Sequence, residues 1–83
     1  METLTNFTEA EYEFCMYKLN LQGSFLTSFI DTVFKADVIN QAKLSMAFPE
    51  LVAVIIKYKT ESGYWDDLVN RWNEIYPTRK LYY

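Results

Sequence analysis

The sequence predicts an all-α fold, a compact bundle of four or five short helices in a single domain, and three observations carry that prediction. Apolar residues recur at helical spacing in nearly every segment. The 83 residues include only two glycines and two prolines, too few breakers for a many-turned β-sandwich. The strongest local signal, around Thr8, is a helix start. A chain of this length buries only roughly 60 to 65 per cent of the surface its unfolded form exposes, so dense packing must hold it together. Hydrophobic residues form 51 % of the chain and aromatics 18 %, which is enough material for such a core without disulfides.

The first helix is expected over about Glu9 to Leu21. Thr8 and Glu11 have capping-box spacing, Phe7 and Tyr12 take the flanking positions of a hydrophobic staple, and Gly23 is a natural stop. Ser24 is a permissible N-cap for the second helix, along which Phe25, Leu26, Phe29, Ile30, Val33 and Phe34 form an apolar face. Residues 37–47 read either as a continuation of the second helix or, the reading favoured, as a short separate helix with Asp37 as its cap and Val38, Ile39, Ala42 and Met46 as its stripe. Pro49 suits the first position of a fourth helix reaching about Thr60. The β-branched run Val52–Ile56 also fits a buried strand, but the proline start and Glu50 in the first turn favour helix. The last helix carries Tyr64, Trp65, Leu68, Val69, Trp72, Ile75 and Tyr76 on one stripe and ends before Pro77, leaving residues 77–83 as a tail. The expected core is Tyr12, Leu19, Phe25, Phe29, Ile30, Val33, Leu51, Val52, Ile55, Ile56, Trp65, Leu68, Val69 and Trp72.

A net charge of −3 with scattered cations argues against phosphate-backbone attraction as an organising force. The lone Cys15 cannot form an internal disulfide and fits a reducing, cytoplasmic setting. The amino-terminal residues lack the pattern of a secretory signal, and no apolar run approaches the length of a membrane span.

With no histidine, Cys15 lacks an activating base, and one cysteine cannot build a zinc site. No calcium loop or glycine-rich phosphate loop is present, so the expectation is a non-enzymatic chain with no catalytic residue, cofactor or metal. Asp66 and Asp67 resemble an acid/base pair, but adjacent helical residues diverge by about 100°, and carboxylates in a first turn already favour the helix dipole. Tyr64 and Trp65 read either as core anchors or as a stacking platform. Asp37, Asn40, Lys43 and Leu44 read either as capping and interhelical groups or as a partner face. Leu81, Tyr82 and Tyr83 must either fold back on the domain or dock on another chain.

Residues 36–65, through Ala36, Asp37, Asn40, Lys43, Leu44, Phe48, Pro49, Glu50, Val52, Tyr58, Gly63, Tyr64 and Trp65, resemble small uncharacterised proteins of bacterial prophages and mobile elements. The chain departs from them at Ala47, where similar sequences carry glycine, so a left-handed turn before Phe48 is not expected. The resemblance implies a phage-related setting and transfers no catalytic residue.

The expected function is protein binding, as an adaptor, an inhibitor or a self-associating protein, with Tyr64, Trp65, Leu81, Tyr82 and Tyr83 as candidate contact residues. The aromatic excess motivates this reading, since a small domain leaves part of it uncovered. The alternatives are a helix-turn-helix nucleic-acid regulator, which should show several cations on one helix face, and an acidic anti-defence protein that mimics DNA, for which −3 is a small charge.

Overall fold

A computed structural model describes residues 7–83, which form five helices and no strand. The helices are α1 (Glu9–Lys18), α2 (Ser24–Lys35), α3 (Val38–Leu44), α4 (Pro49–Thr60) and α5 (Tyr64–Ile75). The protein is thus a small all-α bundle, and Val52–Ile56 is helical.

The capping box forms as its spacing requires. Glu11 N–H donates to Thr8 Oγ1 at 3.1 Å, and Thr8 N–H donates to Glu11 Oε1 at 3.2 Å. The helix stops earlier than expected, at Lys18, because Asn20 adopts a left-handed conformation at φ 61°. Leu21 N–H then reaches back to Met16 O at 2.9 Å and Asn20 N–H to Tyr17 O at 3.0 Å, the paired bonds of a Schellman close. Gly23, expected as the stop, is instead the N-cap of α2, and Ser24 is the first helical residue. Extended backbone at Ala36 and Asp37 separates α2 from α3, and Asp37 Oδ1 accepts the Asn40 N–H at 2.8 Å. Ala47 does not have a positive φ. Gly63, at φ 87°, makes the turn between α4 and α5.

The core has two halves, with α1 between them. One half joins Ala10 and Phe14 to Ile30, Val33, Leu51, Val52, Val54 and Ile55; the other joins Cys15 to Phe7, Leu68, Val69, Trp72 and Leu81. At about 100° per residue, Ala10, Phe14 and Tyr17 lie on one side of α1, while Tyr12, Cys15, Met16 and Leu19 lie on the opposite side. The expected core takes only Tyr12 and Leu19 from the first helix, both on the second side, and so misses Phe14, which is fully buried and meets Tyr17, Phe34, Tyr58 and Trp65. Burying such a ring contributes about 1.5–3 kcal/mol.

Two expected core residues are corrected. Phe25 is 67 % exposed, because it sits in the first turn of α2 at the edge of its stripe and meets Phe48 at 6.1 Å. Ile56 is partly exposed at the margin of the α4 stripe, beside Val38. Tyr12, Leu19, Phe29 and Trp65 are half-buried, and the remaining expected core residues are buried.

Candidate protein-binding surface

The Tyr64–Trp65 pair touches both halves of the core. Tyr64 donates its hydroxyl to Glu11 Oε2 at 2.7 Å, so the glutamate that caps α1 also ties it to α5; Arg71 approaches the same oxygen at 3.8 Å. Burial, then the Glu11 hydrogen bond, raises the Tyr64 pKa well above the usual phenol range. Trp65 packs edge-on to Phe14 at 5.9 Å and to Tyr58 at 5.3 Å, and its indole N–H donates to Tyr82 O at 3.2 Å. Asp66 and Asp67 are exposed in the first turn of α5, and Asp67 pairs with Arg71 at 2.9 Å, one helical turn on.

The tail runs back along α5. Asn73 holds it with both ends of its amide: Leu81 N–H donates to Oδ1 at 2.7 Å, and Nδ2 donates to Leu81 O at 2.9 Å. The Trp72 indole N–H donates to Arg79 O at 2.8 Å, and the Tyr83 hydroxyl donates to Asn70 Oδ1. Leu81 is consequently buried beside Trp72, while the rings of Tyr82 and Tyr83 face solvent. Of the five candidate contact residues, Trp65, Leu81 and Tyr82 line one depression of about 300 Å³, together with Leu19, Lys18 and Lys80. Tyr64 and Tyr83 do not line it. The Lys18 ammonium lies 4.8 Å from the Tyr58 ring centre and 5.5 Å from that of Trp65, and donates to the Tyr58 hydroxyl at 3.1 Å. The aromatic faces there are already engaged by the protein's own cation.

A second surface was hidden by its own regularity. The stripe Val38, Ile39, Ala42 and Met46 looks like the buried side of an amphipathic helix, yet α3 buries none of its residues. Val38 is 81 % exposed, Ile39 69 % and Met46 85 %. The inner side of α3 is instead made by Gln41 and Leu44, with Leu44 against the first core half and the Gln41 side-chain amide donating to Ala36 O at 3.2 Å. Leu44, Asp37, Asn40 and Lys43 therefore do not act as one face: Leu44 packs inward, Asp37 caps the helix, and Asn40 and Lys43 are exposed. Two depressions flank α3. One, of about 270 Å³, includes Val38, Ile56 and Lys59; the other, of about 300 Å³, includes Lys35, Asn40 and Lys43.

Polar chemistry elsewhere is sparse. Burial and neighbouring Glu11 push the Cys15 thiol up to about 12, against the smaller opposing pull of Arg71. A thiol that is both enclosed and protonated offers no thiolate for attack. Glu9, Glu13 and Glu50 border a depression near the start of α4, where burial first and Glu9 second raise the Glu13 pKa. Among the described residues no cluster of His, Cys, Asp or Glu is arranged to hold a metal ion, and no helix is long and apolar enough to cross a membrane. Comparison of the chain with protein-family models, with curated proteins and with solved structures finds no match.

Proposed function

We propose that the protein is a non-enzymatic binding module that engages another protein through the outward face of α3, as an adaptor or inhibitor. The carrying observation is the exposure of Val38 and Ile39 on α3 and of Met46 in the turn that follows it. Three large apolar side chains within nine residues stand in water, a feature common at protein interfaces. Tyr82 and Tyr83 add exposed aromatic area on the α5 side. A setting in the cytoplasm is supported by the free Cys15, and a connection to mobile elements rests on the resemblance of residues 36–65 alone. The nucleic-acid alternative has less support, since the outward face of α3 is apolar and Lys43 is its only cation.

Site-specific photocrosslinking tests the reading. A photoreactive residue in place of Ile39 should capture a protein adduct in the expressing cell, whereas the same group in place of the exposed Glu74 should not. Adding Met46→Asp should abolish the adduct without altering the far-ultraviolet spectrum, because the Met46 side chain is largely in solvent. Equal capture from both positions, or none from position 39, refutes it.

A further inference from the structure

We infer that the occupant of the α3 face is an acidic amphipathic helix of another protein, its apolar side on Val38, Ile39, Ala42 and Met46 and its flanking carboxylates on Lys35, Lys43 and Lys59. The inference rests on the reading of α3 as a protein-binding face and adds the partner's chemistry.

Charge is not spread evenly over this chain. Residues 35–59 carry Lys35, Lys43, Lys57 and Lys59, half of the eight cations, but only Asp37 and Glu50 of the eleven carboxylates. An acidic protein thus has a locally basic region, and α3 lies within it. Asp37 is committed to the cap, where its Oδ1 accepts the Asn40 N–H at 2.8 Å. Lys35, Lys43 and Lys59 are exposed and have no ion-pair partner among the described residues.

Their positions complete the pattern. Lys35 and Lys43 border the depression on the α2 side of α3, and Lys59 borders the one on the α4 side, beside Val38 and Ile56. Each flank of α3 therefore borders a depression that contains lysine, the α4-side one together with the capping Asp37. The seven residues of α3 run roughly 10 Å, about two helical turns, with Met46 just beyond, which suits apolar anchors at i, i+3, i+4 and i+7 of an incoming helix. Carboxylates beside those anchors would meet the lysines, and such rim pairs govern association rate and partner choice more than raw affinity. A second copy docked face to face would bring lysines against lysines. A nucleic acid would satisfy the rim but leave the apolar floor against phosphate and sugar.

Two synthetic helical peptides with identical leucines at i, i+3, i+4 and i+7, one flanked by Glu and the other by Lys, separate these cases. With isotope-labelled protein, the Glu peptide should shift the amide resonances of residues 38–47, and binding should weaken several-fold from about 50 to about 200 mM salt. The triple variant K35E/K43E/K59E, altered only at exposed positions, should lose the Glu peptide and gain the Lys peptide. If both peptides bind α3 equally, the charge inference is overturned while the protein-binding reading stands. If neither shifts these amides, the inference is overturned, and crosslinking from position 39 decides the broader reading separately. A dimer in sedimentation whose α3 amides are protected, or a DNA duplex that shifts them in preference to the Glu peptide, also overturns it.

Discussion

Asn73→Ala should release the tail from α5, and the size of the effect follows from two bonds. The Asn73 amide both accepts from and donates to the backbone of Leu81, at 2.7 and 2.9 Å. A net 0.5–1.5 kcal/mol for each gives a loss of about 2 kcal/mol. The freed backbone groups can reach water, so no further desolvation cost is added. Leu81→Ala should cost about 2–4 kcal/mol, since that side chain is only 4 % exposed. A domain of this size has a total stability of roughly 4–12 kcal/mol, so the Asn73 variant loses a large share of it, equivalent to a fall in Tm of about 8–16 °C. Urea unfolding followed by tryptophan fluorescence measures this, because Trp72 lies under the tail and donates to Arg79 O. Since both changes act on one docked segment, the double variant should fall short of the sum by about 1 kcal/mol. Tyr82→Ala, which removes an exposed ring, serves as a control and should stay within about 0.5 kcal/mol of the parent. A loss below about 0.5 kcal/mol for Asn73→Ala, or strict additivity with Leu81→Ala, would refute the docking of the tail.

Three further outcomes are expected. Gly63→Ala should lower stability by about 1–2 kcal/mol in thermal unfolding, since φ 87° disfavours any Cβ, whereas Asn20→Gly, at φ 61°, should be neutral or stabilising. Cys15 should react with a thiol reagent at about pH 8 only as fast as the protein opens, because the thiol is buried and pushed up to about 12; rapid labelling of the native protein contradicts this. The Tyr17 phenol, which donates to Asp31 at 2.5 Å, is raised from 10.0 to about 12, chiefly by burial. The folded state holds that proton more tightly than the unfolded chain, so its contribution is complete below pH 10 and lost as pH rises towards 12. Tyr17→Phe should lack this part of the alkaline destabilisation, and an unchanged alkaline profile would count against the shift.

Much of the fold was legible because its signals are local. Thr8 with Glu11, Asp37 before α3, and Pro49 at the start of α4 each satisfy or remove backbone groups within one turn, and all three begin helices where expected. The end of α1 was less legible, since Asn20 and Gly23 both suit a left-handed stop and only the three-dimensional path selects Asn20. Phe14 was missed because a single-stripe reading suits a helix with one buried side, and α1 has two. The same reading anticipated the α3 stripe but not its direction: spacing shows that Val38, Ile39, Ala42 and Met46 share a side, while the packing of Leu44 decides which side turns outward. The hold of Asn73 on the tail had no sequence signal at all, because an amide that binds a backbone eight residues away has no fixed spacing.

The position of α1 between two core halves has a consequence during synthesis. One half is built from α1, α2 and α4, but the other needs α5 and Leu81, which lies 74 residues after Phe7 in the same cluster. A nascent chain that has emerged only as far as α4 can assemble the first half and must leave Cys15, Met16 and Leu19 uncovered. Such an intermediate is partly ordered yet offers an apolar helix flank to chaperones and proteases. Chains cut short before Leu81 should therefore be cleared selectively, while a chain that extends through Leu81 covers that flank with Leu68, Val69, Trp72 and Leu81.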